Sequence, residues 1–399
     1  MQKNTKKIQL VYWKMIQMNN SNWTFTTFQE SFELCSKTKR KAGEGLEFGS
    51  YKFFTSSPRQ SKFLDSYEFE GDHLIFGTGG MPSVHYCSEK FSTSTDCFVV
   101  RTSDKEIFLK FVYYFFKGNM HVLAKGFRGA GLKHLSRAYL NSVKIPKPPL
   151  ETQKKIVEVL EKVEKLIDFR GNSYKLTDEF LKSVFYDIVY SNKSKDWGIK
   201  TINDLVDPDN GGIRTGPFGS DLLHSEFVDE GVAVIGIDNA VDNKFSWKER
   251  RFITLEKYQK LKKYTLYPRD VIITIMGTLG RTAVIPDNIP SAINTKHLAA
   301  ITLNKSMANP FFISFSFRTD PYILAQLKGK NRGAIMDGLN LTIIKEIKVK
   351  LPPIELQNKF ASLYERVEKL KAIQTHSKIY TQNLFNSLMQ SAFKGELLC

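Results

Sequence analysis

The sequence is poor in the features that mark secreted, membrane-spanning or catalytic chains. Its four cysteines (Cys35, Cys87, Cys97 and Cys399) are too few and too scattered for a disulfide framework. No apolar run approaches the ~20 residues that a membrane helix needs. The longest, such as Val271–Met276, have strand length. Met1–Leu10 is basic but lacks both a long apolar stretch and a small-residue cleavage site, so it does not read as a signal peptide. A cytoplasmic protein is expected. The phosphate-binding pattern G-x-x-x-x-G-K-[ST] is missing, and Gly77-Thr78-Gly79-Gly80 matches only part of the dinucleotide pattern. Asn309-Pro310-Phe311-Phe312 lacks the second proline of the tetrapeptide with which amino-methyltransferases grip a flipped base, and reads as a helix start. Pro286-Asp287 and Glu346-Ile347-Lys348 make a poor nuclease pattern, because they lie far apart and the second falls in an expected strand. His85, Cys87 and Cys97 lack a fourth zinc ligand at sensible spacing. Neither a catalytic site nor a metal site is expected.

What the chain does have is positive charge and a repeat. Its 58 Lys and Arg outnumber 41 Asp and Glu, a net charge of +17 on 399 residues. Such an excess points to a polyanion, nucleic acid before a membrane surface. Arg128-Gly129-Ala130 recurs 204 residues later as Arg332-Gly333-Ala334, Leu135 as Leu339, and Pro148-Pro149 as Pro352-Pro353. At the same offset Glu151 recurs as Glu355, Gln153 as Gln357, and Val163-Glu164-Lys165-Leu166 as Val367-Glu368-Lys369-Leu370. Toward the start of each copy the offset shrinks: Trp23 matches Trp197 at 174, and Gly71-Asp72-His73-Leu74-Ile75 matches Arg269-Asp270-Val271-Ile272-Ile273 at 198. The second copy therefore holds 30 more residues, most of them before Asp270. A tandem repeat of this length means two copies of one module.

Each copy has a divergent front and a similar back. The fronts alternate β-branched and aromatic runs with turn residues: Tyr51–Thr55, His73–Gly77 and Cys97–Arg101, then Val232–Ile237, Val271–Met276 and His297–Leu303. Helices are expected at Lys105–Phe116, Leu255–Lys263 and Asn309–Lys328. After Pro149 and Pro353 the apolar period becomes helical. Ile156, Leu160, Val163, Ile167, Tyr174, Leu181, Val184 and Ile188 form a ladder broken at Arg170 and Thr177. Phe360, Leu363, Val367, Leu370, Leu384 and Leu388 form its counterpart. Such spacing argues for long helices that bury their stripes on each other as an antiparallel coiled coil, with a kink expected at Gly171. The fold class is thus α+β, with two α/β modules separated by long helices.

The charge follows this division. Residues 1–22 form a basic arm of +4, residues 23–147 carry +6, 148–196 carry zero, 197–351 carry +5 and 352–399 carry +2. The excess sits mainly on the fronts, where nucleic acid is expected to bind.

Two divergent β-rich modules, each followed by Pro-Pro-Leu/Ile-Glu-x-Gln and a long helix, resemble the specificity subunit of a type I DNA restriction-modification enzyme. Ile145–Gln153 and Leu351–Gln357 with their helices carry the likeness most strongly, joined by Ala392-Phe393-Lys394-Gly395-Glu396-Leu397. Weaker matches lie in Gly49–Ser57, Thr215–Ser220, Gly71–Gly80 and Asp270–Gly280. The resemblance implies two target recognition domains, 23–147 and 197–351, each reading half of an asymmetric bipartite DNA site. It implies two spacer helices, 148–196 and 352–399, that fix the gap between half-sites and dock two modification subunits. Restriction subunits would join them. S-adenosylmethionine, ATP and Mg are then expected in the partners, and no chemistry in this chain.

Candidate DNA-binding residues follow from residue type and loop position. In the first module they are Thr55, Ser56, Ser57 and Arg59, with Lys125, Arg128 and Lys133 around flexible glycines. In the second they are Arg214, Asn239, Arg281, Lys296, His297, Lys330 and Arg332. Arg and Lys suit guanine, and Asn suits adenine. The expected helix interface comprises Ile156, Leu160, Val163, Ile167, Leu181, Val184, Phe360, Leu363, Val367, Leu370, Leu384 and Leu388. A fused restriction-methylation enzyme would need methyltransferase motifs, which are absent. A scaffold with an incidental basic surface would bind DNA without steep salt dependence.

Overall fold

The computed structural model describes residues 23–129, 131–191, 197–330 and 339–394. The N-terminal basic arm, Arg332 and the tail beyond Lys394 lie outside the described residues, as does the side chain of Lys330. The chain forms two compact units, one of residues up to Asn172 with those from Thr375 onward, the other Ser173–Gln374.

In the first unit, strand β1 (Thr24–Thr27) pairs antiparallel with β11 (Lys144–Lys147), so the module closes on its own start before the long helix begins. Between them lie two small sheets. One has the order β2 (Glu33–Leu34), β8 (Cys97–Arg101), β5 (His73–Gly77), β6 (Ser83–Cys87). The other has the order β4 (Lys62–Leu64), β3 (Tyr51–Phe54), β7 (Phe91–Thr93), in which β3 and β7 run parallel. Strand β5 reads His-Leu-Ile-Phe-Gly and is buried throughout, as befits a strand covered on both faces. Helix α1 (Leu109–Gly118) buries Phe111, Val112, Tyr114, Phe115 and Phe116 in the same core.

Helix α2 (Leu150–Tyr190) follows and gives its first half to this unit. Its Ile156, Leu160 and Val163 share a core with Leu388, Met389 and Ala392 near the end of the second long helix. Each such fully buried side chain contributes about 1.5–3 kcal/mol.

The second unit repeats this plan. Strand β12 (Ile199–Thr201) pairs with β20 (Lys348–Lys350). One sheet runs β13 (Ile213–Thr215), β19 (Leu298–Ile301), β16 (Val271–Thr274), β17 (Thr282–Val284). The other runs β15 (Phe252–Ile253), β14 (Val232–Ile235), β18 (Ala292–Asn294), with β14 and β18 parallel. Helix α3 (Leu255–Leu261) follows β15. Helix α4 (Pro310–Thr319) starts where Asn309 accepts the Phe311 N–H at 3.0 Å, an N-cap with proline in the first turn. Its Phe312 and Phe315 pack on Phe185 of α2 and Phe360 of α5 (Ile354–Lys394), with ring centroids 5.0–5.8 Å apart.

In each unit the first half of one long helix therefore lies against the second half of the other, the antiparallel pairing expected. Ile156, Leu160, Val163, Leu181, Phe360, Val367 and Leu388 are buried, and Ile167, Val184, Leu363 and Leu384 are half-buried at the same cores. Leu370 is a correction: it is 46% exposed. Lys371, four residues after Val367, takes the inward place, held by Asp178 at 2.7 Å. Helix α2 continues unbroken through Gly171.

Candidate nucleic-acid interface

In the first module, two sequence-predicted clusters meet at the β5–β6 turn. The Thr55–Arg59 loop is shaped by its own hydroxyls: Thr55 Oγ1 accepts from Ser57 N at 3.3 Å, and Ser57 Oγ from Arg59 N at 3.2 Å. It is fastened to β6, because Ser83 Oγ donates to Ser56 O at 3.2 Å and His85 Nε2 lies 2.9 Å from Ser57 O. Burial holds His85 below its usual pKa, and this contact opposes the shift. Gly77 has to be glycine, since a Cβ there would lie 2.9 Å from the Ser56 backbone.

On the other side, β9 (Phe127–Arg128) and β10 (His134–Leu135) form a short hairpin tied to the same turn through Leu135 N and Thr78 O at 2.8 Å. Gly129, at φ +137, turns within this segment, where a Cβ would strike Leu132 O. Arg59, Lys125, Arg128 and Lys133 are all exposed, and Met81 stands 69% exposed on the turn among them. The result is a small basic surface that also carries two protruding apolar side chains, Met81 and Leu132. His85, Cys87 and Cys97 serve the fold: both thiols are core residues, and burial pushes Cys97 up to about 12.

In the second module the structure corrects two candidates. Arg214 is buried on β13. Its guanidinium donates to Thr265 O at 2.8 Å and Thr302 Oγ1 at 2.9 Å, and pairs with the Asp270 carboxylate. Asn239 is 1% exposed; its amide accepts from Gly236 N and donates to Ser246 O, both at 2.9 Å. Neither side chain is free to touch a base. Arg281 is exposed on the turn after β16, and Lys296 and His297 are half-buried between β18 and β19. Burial, and then the Lys296 charge, holds His297 below its usual pKa.

Lys296 and His297 line a cavity of about 600 Å³ together with the Pro217–Phe227 loop, the Gly236–Asp238 turn and Arg251. The loop is seated by Gly216, where a Cβ would lie 2.0 Å from Asn294 O. Asp238, Arg251 and Thr295 were not singled out by residue type. The extra length of the second module ahead of Asp270 covers Asp238 and Arg251, and nothing in the sequence marks Thr295.

In the repeated Pro-Pro-x-Glu-x-Gln segments the glutamines are buried. Gln153 accepts from Phe108 N and donates to Glu106 O and Pro148 O, each at 2.8 Å. Gln357 makes the same set with Asn309 N at 2.9 Å, Met307 O at 3.1 Å and Pro352 O at 2.8 Å. Each glutamine fastens the start of a long helix to the segment that leads into α1 or α4.

A sequence model of the type I restriction modification DNA specificity domain matches residues 20–175 and again 194–382. Among curated relatives, the type I restriction enzyme MjaVIII specificity subunit of Methanocaldococcus jannaschii is 21% identical over 346 residues, covering 82% of this chain and 79% of its own. The EcoBI specificity subunit of Escherichia coli is 22% identical over 377 residues, covering 86% and 77%. Among solved structures, the type I restriction-modification S subunit from M. genitalium has the same fold, with a TM-score of 0.62 at 16% identity, covering 95% of this chain and 98% of its own. With both copies of its repeat matched, the chain belongs to the type I restriction modification DNA specificity family.

Proposed function

We propose that the chain directs a type I restriction-modification complex to its DNA. Each module reads one half of a bipartite site, and catalysis belongs to the partner subunits. The observation that carries this is the duplication itself: two modules share one sheet order, yet differ in the loops that carry their exposed cations, around the β5–β6 turn in the first and at Arg281 and Lys296 in the second. Unlike loops on like frames imply unlike half-sites, so the site is asymmetric. Phosphate contacts supply affinity, and base-edge contacts supply specificity.

The long helices set the gap between half-sites. A helix of 41 residues is about 60 Å long, enough to span more than one duplex turn of roughly 34–36 Å. They also dock two modification subunits. In one unit Leu176, Phe180 and Ile373 are more than half exposed on these helices, and in the other Ile379 and Tyr380 are. Exposed apolar residues grouped along a helix mark a protein-binding face. S-adenosylmethionine, ATP and Mg act in the modification and restriction subunits, and the complex works in the cytoplasm. Among the described residues no helix is long and apolar enough to cross a membrane.

The test is reconstitution with the modification subunits, followed by sequencing of methylated DNA and titration of binding against salt. A two-part adenine-methylated motif and an affinity that falls steeply with salt are expected. A flat salt dependence with no bipartite motif would sink the proposal.

A further inference from the structure

The second module is longer than the first by 30 residues, and nine of them lie in one connection. From the start of β3 to the start of β4 the chain advances 11 positions, Tyr51 to Lys62; from β14 to β15 it advances 20, Val232 to Phe252. The longer connection holds the Ile237–Asn239 turn and ends at Arg251. Asn239, buried and satisfied, pins that turn. The turn, Arg251, the Pro217–Phe227 loop and Thr295–His297 together line the half-open 600 Å³ cavity. It lies beyond the carboxyl ends of β14 and β18, the parallel pair. Open α/β sheets bind ligands at that end of parallel strands.

The chemistry of the lining is specific. Buried side-chain atoms without a partner gather here: Asp238 Oδ2, Arg251 Nε and Thr295 Oγ1 on lining residues, and Asn294 Oδ1 one position away. Such atoms are uncommon, because each loses its hydration without a replacement bond. A ligand edge that carries both donors and acceptors removes that cost once the wall shifts enough to open these atoms to it. The Arg251 guanidinium is neutralised by Asp238, whereas Lys296 makes no ion pair among the described residues, so one positive charge is left at the cavity. Phe227, Ile237 and Val241 supply apolar wall against which a flat ring packs.

We propose that this cavity is where the second module reads a base whose major-groove edge bears an amino group, adenine or cytosine. Asp238 accepts from the amino group, Thr295 and Arg251 meet the neighbouring ring atom, and Lys296 takes the flanking phosphate. The assignment rests on the DNA-specificity reading above. Carboxylates accept from amino groups, whereas the exposed acceptors of guanine and thymine repel them. The added connection is then the element that makes the second half-site different from the first.

The test uses the full chain assembled with its modification subunits, and variants Asp238→Asn, Thr295→Val and Lys296→Ala. Thr295→Val keeps the fold safe, since the hydroxyl it removes has no partner and valine has the same shape. Asp238→Asn and Thr295→Val should relax discrimination about tenfold at one base position of one half-site, leaving the other half-site unchanged. Lys296→Ala should weaken every sequence alike and reduce the salt slope by about one. A wild-type motif retained by both Asp238→Asn and Thr295→Val overturns the proposal. Uniform weakening by all three variants without a change of motif also overturns it, and makes the cavity a phosphate seat. A wild-type complex with no bipartite motif instead defeats the specificity-subunit reading on which it rests.

Discussion

Gln153 and Gln357 stand 204 residues apart and make the same three hydrogen bonds. Their amides are buried, so each side chain must be an amide to satisfy one backbone donor and two backbone acceptors at once. Arg214 is fixed in the same manner. Its partner Asp270 is fully buried and also accepts from Tyr267 N at 2.8 Å and Thr302 Oγ1 at 2.6 Å. Arg214→Ala strands that carboxylate and should cost about 3–5 kcal/mol, measured by denaturant unfolding. A loss below ~1 kcal/mol would show that Arg214 is not needed to neutralise Asp270. The repeat made the glutamines visible in the sequence, but it carried no sign of what they bind. Arg214 and Asn239 were misassigned for a related reason. Residue type and a nearby turn suggest reach toward DNA, and only burial reveals that their hydrogen-bonding capacity is already spent.

At the scale of elements, the apolar ladder of each long helix was legible and its centre was not. Arg170 and Thr177 interrupt the first ladder, and both turn out to have partners across the helix pair. Arg170 donates to Ser377 O at 2.6 Å, and Gln374 donates to Thr177 Oγ1 at 3.1 Å. In the second unit Lys371 also pairs with Asp178. Polar positions inside a coiled coil fix register, because a slip leaves them unpaired. The same centre explains Leu370: a stripe extended by its apolar character alone drifts one position from the true inward face. Gly171 lies in this stretch, in an unbroken helix, and a Cβ there would meet nothing within 4 Å. Gly171→Ala should therefore stabilise the protein by about 0.5–1 kcal/mol, visible as a higher melting temperature. A lower melting temperature would mean that the glycine serves a bend.

For the whole molecule, the net charge of +17 resolves into two basic modules, +6 and +5, a first helical segment of zero, an N-terminal arm of +4 and a last segment of +2. Each module closes on itself through β1 with β11 or β12 with β20, directly before its long helix. That closure sets a boundary at which one module can be exchanged for another. Replacing residues 23–147 with the corresponding module of another family member should change one half of the methylated motif and leave the other half and its spacing intact. Change in both halves, read by sequencing of methylated DNA, would show that the modules do not act independently.

The sequence by itself determined the duplication, the α+β class, the long helices and the family, because these rest on local periodicity and on identities held at a constant offset. Tertiary structure alone decided which polar residues are consumed by the fold and which face outward, and it joined three separate segments of the second module around one cavity. Burial and convergence depend on contacts between positions far apart in the chain, and no local pattern records them.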